Sequence, residues 1–281
     1  MLINSREILK EAKEGKYAVP QFNINNLEWT KIVLERCQVA NKPVILGVSE
    51  GALKYMGGPV TVVGMVKGLI EDLNVTIPVV LHLDHGGSFE VCKKVIDAGF
   101  TSVMIDASKY PLEENIAITK QVVEYANKHD VTVEAEVGHI GGTEDNVSAT
   151  SLNATLDDCL TLVSGAKIDS IAPALGSVHG LYKGDPNLDF ETMDKINNAL
   201  TIPLVLHGGT GIPDYDIRKA IKCGISKINI NTELQIAWHN GVKEFINNNP
   251  DAYDPRKVIG GGKEQMITAI DEKIKLFFAV E

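Results

Sequence analysis

Three histidines of this 281-residue chain share one setting, because each stands at or near the end of a strand-like segment and is followed by glycine. They are His85, His179 and His207. Three imidazoles with an open fourth position make up a catalytic zinc site. A glycine beside each would let the backbone turn and let a ligand approach closely. The pattern therefore predicts that three separate segments converge on one divalent metal.

Other polar residues also stand where apolar segments end. The full set is Asn23, Ser49, Asp84, His85, Asp106, Glu134, Glu136, His179, His207, Asn229 and Asn231. Buried carboxylates need a counter-ion or a metal, and Glu136 is predicted to fill the open metal position when no substrate is bound. Any single member has a simpler explanation as a helix cap or a core residue. We keep that simpler explanation for His82, and it becomes poor only for the set together.

Two glycine- and asparagine-rich segments indicate a phosphate site. Gly208-Gly-Thr-Gly211 and Asn229-Ile-Asn-Thr232 each follow a predicted strand and precede a predicted helix. Backbone N–H groups at a helix N-terminus bind phosphate readily. Lys183 would add a cation, although it would equally suit a solvated surface, and the glycines alone would permit tight turns.

A third segment, Gly141-Gly-Thr-Glu-Asp145, places carboxylates beside two glycines. A carboxylate on a hinged loop is what a mobile general acid or base requires, which makes Glu144 a candidate. A solvated acidic loop explains the same letters equally well.

Eight strands and intervening helices must position these residues. The predicted strands are residues 17–23, 43–49, 78–86, 101–106, 131–137, 169–175, 202–206 and 226–231. Their apolar runs are typical of strands buried on both faces. The alternation predicts a (β/α)8 TIM barrel with extra N- and C-terminal helices, formed by residues 1–281 as a single domain. The alternative, a doubly wound open sheet, requires a glycine fingerprint after the first strand, where Phe22-Asn-Ile-Asn-Asn26 stands instead.

Three connections are predicted to be loops. They cover the glycines at 51, 57 and 58, residues 138–153, and residues 176–188. The last two carry Glu144, His179 and Lys183.

Composition narrows the possible partners. The chain has 27 basic and 37 acidic residues, a net charge of −10 and no basic block, which argues against nucleic acid as a partner. No apolar run approaches the roughly 20 residues of a membrane span. The four cysteines form no CxxC pair and suggest reduced thiols in a cytoplasmic protein.

With these residues in place, the sequence resembles the class II, zinc-dependent fructose-bisphosphate aldolases and the related tagatose-bisphosphate aldolases over nearly the whole chain. The resemblance is carried by Gly47-Val-Ser-Glu-Gly51, His82-Leu-Asp-His-Gly86, Ser102-Val-Met-Ile-Asp-Ala-Ser108, Glu134-Ala-Glu-Val-Gly138, Gly141-Gly-Thr-Glu-Asp145, Ala172-Pro-Ala-Leu-Gly-Ser-Val-His-Gly180, Leu206-His-Gly-Gly-Thr-Gly211, Lys227-Ile-Asn-Ile-Asn-Thr-Glu233 and Tyr253-Asp-Pro-Arg256.

The resemblance implies a role for each matching residue. It makes His85, His179 and His207 the ligands of a catalytic Zn²⁺, with Glu136 and Asp106 at a second or alternative metal position, where a second metal or a monovalent cation would sit. Asp84 is implied as the acid/base at the cleaved bond and Glu144 as the mobile carboxylate. The implied substrate contacts are Asn23, Ser49, Gly180, Lys183, Gly208, Gly209, Thr210, Asn229, Ile230, Asn231, Thr232 and, from a neighbouring subunit, Arg256.

The implied activity is reversible cleavage of fructose 1,6-bisphosphate to dihydroxyacetone phosphate and glyceraldehyde 3-phosphate in glycolysis and gluconeogenesis, by a carbon–carbon lyase that forms a homodimer or homotetramer. Lys109, His139 and Gly260-Gly-Gly-Lys263 depart from the family pattern and leave tagatose bisphosphate open as substrate. Three competing hypotheses stay open at this point: a metal-free Schiff-base aldolase that uses Lys227, a metal-dependent hydrolase, and a sugar-phosphate binder without catalytic activity.

Overall fold

A closed barrel of eight parallel strands forms the centre of the molecule. The computed structural model describes residues 2–144, 147–149, 153–182 and 184–279. In the described residues the barrel strands are β1 (Val19–Asn23), β2 (Val44–Ser49), β3 (Val79–Gly86), β4 (Ser102–Ile105), β5 (Thr132–Val137), β8 (Ser170–Pro173), β10 (Leu204–Leu206) and β11 (Ile225–Ile230). They neighbour one another in chain order, and β1 closes the barrel against β11, so the predicted (β/α)8 fold is confirmed.

Helices connect and surround the strands. Their bounds are α1 (Arg6–Gly15), α2 (Leu27–Ala40), α3 (Glu50–Tyr55), α4 (Pro59–Asp72), α5 (Phe89–Ala98), α6 (Leu112–Ala126), α7 (Leu156–Ala166), α8 (Phe190–Ala199), α9 (Asp214–Lys222), α10 (Thr232–Asn248), α11 (Pro255–Gly260) and α12 (Lys263–Phe277). None of the helices in the described ranges is long and apolar enough to cross a membrane.

Alternation along each barrel strand separates the helix-facing core from the barrel interior. Phe22, Leu83 and Ile228 are fully buried in the large apolar core that contains residues of the surrounding helices. Their neighbours along the strands are polar and buried, because successive side chains of a strand point to opposite faces. These polar neighbours are Gln21, Asn23, His82, Asp84, Lys227 and Asn229. On β5, Glu134 and Glu136 flank the buried Ala135 in the same way.

Helix α1 covers the amino-terminal end of the barrel. Its Ile8 and Leu9 pack with Val19, Ile45 and Val80 in a separate apolar cluster. Burying one such aliphatic side chain contributes about 1.5–3 kcal/mol. One end of the barrel interior is thus apolar, and the polar residues concentrate toward the other end.

Two predicted loops contain regular structure instead. Residues 138–153 include β6 (Gly141–Glu144) and β7 (Val147–Ala149), and residues 176–188 include β9 (Val178–His179). These three strands form a small separate sheet in which β6 pairs with both others. The glycine-rich composition that indicated a loop accommodates close backbone approach here.

The predicted loop at residues 51–58 is also partly wrong. Helix α3 occupies its first half and begins after Ser49, whose hydroxyl oxygen accepts a hydrogen bond from the Ala52 N–H at 3.2 Å. A serine cap of this kind satisfies one of the unpaired N–H groups at a helix start. Gly57 and Gly58, with φ of +92° and +117°, form the turn that follows.

Candidate active site

The predicted site residues gather at the carboxyl-terminal end of the barrel. Asn23 and Ser49 end their strands, Asp84 lies two residues before the end of β3, and His207 directly follows β10. In barrels of this fold that end carries the active site, because the βα connections converge there. His179 arrives differently, from strand β9 of the small sheet.

The three histidines lie together at this end of the barrel. Nitrogen atoms of His85, His179 and His207, one from each ring, lie within 4.8 Å of one another. Nε2 of His85 is 2.9 Å from Nδ1 of His207. Two nitrogen ligands of a tetrahedral Zn²⁺ are about 3.3 Å apart, so a small adjustment of these rings would accommodate one ion. The donor set therefore fits a divalent metal.

Backbone geometry brings these rings together. His85 has a left-handed φ of +51° and stands where the pairing of β3 with β4 shifts register. Such a conformation is costly for a residue with a Cβ atom, by roughly 1–3 kcal/mol, and clusters at functional sites. A Cβ atom on Gly86 would lie 2.8 Å from the Met104 carbonyl oxygen, so the next residue must be glycine or the strand must move.

Two glycines make room for the strand that carries His179. A Cβ atom on Gly208 would lie 2.1 Å from the Val178 oxygen, and one on Gly142 would lie 2.2 Å from the His179 oxygen. Both glycines also have a positive φ that side chains disfavour. These glycines thus allow β9 to pack close to the site. The sequence had indicated only that they would let the backbone turn and a ligand approach.

Two carboxylates lie behind the imidazoles. Oδ2 of Asp106 is 2.9 Å from Nδ1 of His85, and Oε1 of Glu134 is 2.8 Å from Nε2 of His207. A carboxylate on the second nitrogen orients a metal-binding imidazole. Asp106 and Glu136 also form a second candidate metal group with His85. The five predicted metal residues therefore divide into two groups that share His85.

Burial and nearby charges set the protonation of these histidines. Burial lowers the pKa of His207 and, with the charges of the other two rings, holds the pKa of His179 well below its usual value. Burial also opposes ionisation of His85, but the bond to Asp106 and the charge of Asp84 raise its pKa well above the usual value. A metal ion at the site would take the place of that proton.

Asp84 is buried and firmly held. Its Oδ2 accepts a hydrogen bond from Asn23 Nδ2 at 2.8 Å, and its Oδ1 accepts one from Asn229 Nδ2 at 3.3 Å. Burial alone would raise the pKa of Asp84, but the charges of His85 and His207 hold it well below its usual range. The carboxylate is therefore ionised and fixed in orientation.

Two cavities meet at Asp84 and His179. The smaller cleft is lined by Asn23, Asp84, His179, Gly180, His207, Gly208, Thr210, Asn229, Asn231 and Thr232. The larger cavity, of about 490 Å³, is lined by Ser49, Glu50, Gly51, Asp84, His85, Gly87, Asp106, Lys109, Glu136, His139, Ile140, Gly142 and His179. The imidazole cluster thus stands between a cleft rich in backbone and amide groups and a wider, partly charged chamber.

The remaining predicted residues have varied positions. Ile230 is fully buried, and Gly209 packs against Ile228 and the Asn229 backbone, so neither lines the described cleft. The side chain of Arg256 is 89% exposed and bonds to Asp254. Lys183 and the side chain of Glu144 lie outside the described part of the chain, although the backbone of Glu144 belongs to β6.

The pairing of Glu134 with Lys227 was not apparent from the sequence. Lys227 Nζ donates a hydrogen bond to Glu134 Oε2 at 2.8 Å, and both side chains are at most 2% exposed. The available signal was alternation, because each stands two residues from a predicted site residue, Glu136 or Asn229, on the same strand face.

Fold and site together are typical of a metal-dependent (β/α)8 enzyme. The profile of the family described as "Fructose-bisphosphate aldolase class-II" matches residues 3–281. The chain belongs to the class-II fructose-bisphosphate aldolase family. It is therefore an aldolase, a carbon–carbon lyase, as its sequence motifs predicted, and membership implies a divalent metal.

Similar proteins align with this sequence along almost its entire length. The "Fructose-bisphosphate aldolase" of Geobacillus stearothermophilus is 57% identical over 277 residues, which cover 98% of this chain and 96% of the relative. That of Staphylococcus aureus is also 57% identical and covers 98% and 97%. Among solved structures, the YdjI aldolase of Escherichia coli K12 is 32% identical with a TM-score of 0.86, covering 100% and 98% of the two chains. Fructose-bisphosphate aldolase from Campylobacter jejuni is 26% identical with a TM-score of 0.83, covering 99% and 96%.

Proposed function

We propose that this aldolase cleaves fructose 1,6-bisphosphate reversibly to dihydroxyacetone phosphate and glyceraldehyde 3-phosphate, and that His85, His179 and His207 hold its catalytic Zn²⁺. The observation that carries the proposal is the convergence of three imidazole nitrogens within 4.8 Å of one another beside the buried carboxylate of Asp84. A bound zinc ion supplies a Lewis acid for the ketone oxygen of the substrate.

Asp84 is the proposed base in the cleavage direction. It accepts the proton of the C4 hydroxyl as the C3–C4 bond breaks, the C4 carbonyl forms and the bond electrons move to C3. Its low pKa keeps it ionised, and the bonds from Asn23 and Asn229 aim its oxygens. A general base held in place typically contributes 10²- to 10⁴-fold to the rate, an order-of-magnitude figure.

Glu144 is the proposed acid that returns a proton to C3. Its place in β6, next to the strand that carries His179, supports this role. The register pairs Gly142 with His179, and Glu144 follows two residues later.

The two cavities suit the two halves of the substrate. The smaller cleft holds the phosphate of the dihydroxyacetone half, at the start of α10 and against the glycine turn after β10. Thr210 joins these two parts, since its hydroxyl accepts a hydrogen bond from the Glu233 N–H at 3.2 Å. Helix N-termini favour anions. We further propose Lys183 as a cation on this side.

The larger cavity takes the aldehyde half. Ser49 and Lys109 line it, and Arg256 of a second subunit is the proposed contact for the far phosphate. The exposure of Arg256 supports this, because its guanidinium bonds to Asp254 on one side and is otherwise accessible to a partner. The same proposal requires self-association, for which we propose a homodimer or homotetramer. We place Asp106 and Glu136 at an alternative position for the metal or for a second cation, next to His85.

Cysteine chemistry supports a cytoplasmic location for the enzyme. Cys37, Cys92 and Cys159 are buried free thiols, and Cys223 is a free thiol at intermediate burial. Burial raises the pKa of the Cys37 thiol well above its usual value, so its proton is retained at neutral pH and the thiol is unreactive. Free structural thiols are typical of a reducing compartment.

The central experiment is a coupled cleavage assay with fructose and tagatose 1,6-bisphosphates, with and without chelator. We expect cleavage of the fructose substrate, loss of activity with chelator and recovery with added Zn²⁺. Borohydride should trap no adduct. A trapped adduct on Lys227 would instead establish the Schiff-base mechanism.

A variant isolates the role of Asp84. Replacing it by alanine should lower kcat by at least about 10²-fold while zinc remains bound, since Asp84 bonds to asparagines rather than completing the imidazole set. Zinc content by atomic absorption separates loss of chemistry from loss of metal. Unchanged kcat would remove Asp84 from the proposed step.

A further inference from the structure

Two buried residues that the proposed reaction does not use form an ion pair inside the barrel. Lys227 on β11 and Glu134 on β5 are joined at 2.8 Å. In the barrel order, β10 and β8 stand between these strands, so the pair reaches across the interior. Burying two opposite charges is expensive unless their remaining donors and acceptors are also used.

The second oxygen of Glu134 is used by His207. Glu134 Oε1 lies 2.8 Å from Nε2 of His207. An ionised carboxylate only accepts hydrogen bonds, so Nε2 of His207 must carry the proton. Its other nitrogen, Nδ1, then carries the lone pair and faces Nε2 of His85 at 2.9 Å. Asn229 Nδ2 is 3.3 Å from both ring nitrogens, so it favours neither tautomer.

We propose that Glu134 and Lys227 are positioning residues that hold His207 in the Nε2–H tautomer and thereby present its Nδ1 lone pair to the metal. This inference rests on the proposed function only through the role of His207 as a metal ligand. Lys227 keeps Glu134 anionic and fixes its orientation, and Glu134 fixes the ring.

The same contacts explain why Lys227 is buried in the barrel without a covalent role toward the substrate. A Schiff-base lysine must be neutral and must reach the ketone carbon. Lys227 instead bonds to a buried carboxylate and does not line either of the two cavities described around the imidazoles.

A comparison with His85 shows why the burial of the Glu134–Lys227 pair matters for His207. Its own carboxylate partner, Asp106, has a side chain that is 23% exposed and lines the larger cavity. Water and substrate can compete for Asp106. Glu134 is 2% exposed, so its bond to His207 has no such competitor and holds one tautomer.

Two charge-neutral double variants test the proposal. Glu134→Gln with Lys227→Met keeps an oxygen that accepts from Nε2, whereas Glu134→Leu with Lys227→Met removes it at similar volume. Replacing a buried ion pair by neutral groups of similar size often preserves stability, so both proteins are expected to fold. Asp169→Asn is the matched control, a carboxylate that accepts from the Val133 N–H away from the imidazole cluster. Circular dichroism and melting of the zinc-free proteins check folding.

The readouts are ¹⁵N-histidine NMR of the zinc-free enzyme and zinc affinity by competition with a fluorescent chelator. We expect the Nε2–H tautomer of His207 in the wild type, the control and the Gln/Met variant. The Leu/Met variant should show mixed tautomers and about 10- to 100-fold weaker zinc binding.

The outcomes separate this role from the metal site itself. An Nδ1–H tautomer in the wild type, or a Leu/Met variant with unchanged spectrum and unchanged zinc affinity, would overturn the positioning role alone. Unchanged zinc binding after His207→Ala would overturn the proposed metal site and this role with it.

Discussion

Glu134 and Glu136 stand two residues apart on the inner face of β5, and both are at most 2% exposed, yet their charges differ. Lys227 lies 2.8 Å from Glu134 and, against the effect of burial, holds its pKa well below the usual range. Burial and the charge of Asp106 raise the pKa of Glu136 to about 8, with His85 Nδ1 as distant as 4.0 Å. Burial is the same for both, and the nearest partner decides the charge.

The contrast separates two regions of the site. Around Glu134 the interior is closed, and its ion pair serves His207. Around Glu136 the wall belongs to the larger cavity, and a carboxyl that is mostly protonated at neutral pH adds little negative charge beside Asp106. Its Oε1 accepts a hydrogen bond from the Ile140 N–H at 3.0 Å, which ties it to the start of the small sheet.

The largest expected effect on stability comes from removing the cation of the buried Glu134–Lys227 pair. Lys227→Met leaves the Glu134 carboxylate buried without its cation, and we expect a loss of about 3–5 kcal/mol in the free energy of unfolding. Urea denaturation of the zinc-free enzyme measures it. Lys273→Met is the control, since Lys273 is also buried but the side chain of its partner Glu233 is 27% exposed. A loss for Lys227→Met as small as about 1 kcal/mol would show that Glu134 does not need its partner.

A smaller effect should appear as a pH dependence at Glu136. Its folded pKa of about 8 exceeds the unfolded value of about 4.3, so the native state keeps a proton that the unfolded state has lost. The stabilisation is full below the unfolded pKa and disappears as pH rises through the folded one. Between pH 5 and 7 the wild type should lose roughly 2–3 kcal/mol from this group, relative to Glu136→Gln.

Urea denaturation of the two zinc-free proteins at several pH values measures this difference. Glutamine does not titrate, so the free energy of unfolding of Glu136→Gln minus that of the wild type should increase steadily from pH 5 to 7. Parallel curves would mean that Glu136 is ionised like Glu134 and would remove the contrast between them.

The smallest effect is expected at the mouth of the larger cavity. Ser108 Oγ is 2.8 Å from Nδ1 of His139, at a partly exposed position. Ser108→Ala should cost about 0.5–1.5 kcal/mol of unfolding free energy, the usual net value of one hydrogen bond. Ser164→Ala, which removes an exposed bond to the Thr161 carbonyl, provides the comparison. A loss as large as that of Lys227→Met would show that the mouth is as tightly coupled as the interior.

The barrel could be predicted because each strand is marked locally by an apolar run, and most of these runs end at a polar residue. Asp84, His85 and His207 could be placed at one mouth for the same reason. The Glu134–Lys227 pair could not be predicted, since its members are 93 residues apart and only the closed barrel brings them face to face. The small sheet was missed because the segments around Gly142 and His179 are too short and glycine-rich to indicate strands alone.

The pairing of β6 with β9 links two proposed functions of the site, proton donation and metal binding. Gly142 and His179 are partners across that ribbon, and the proposed proton donor Glu144 lies on the same strand as Gly142. If β6 lifts to let product leave, the backbone of His179, the proposed metal ligand, moves with it. Faster product release would then weaken retention of the metal ion. The close backbone contacts that Gly142 and Gly208 allow with β9 hold these strands together.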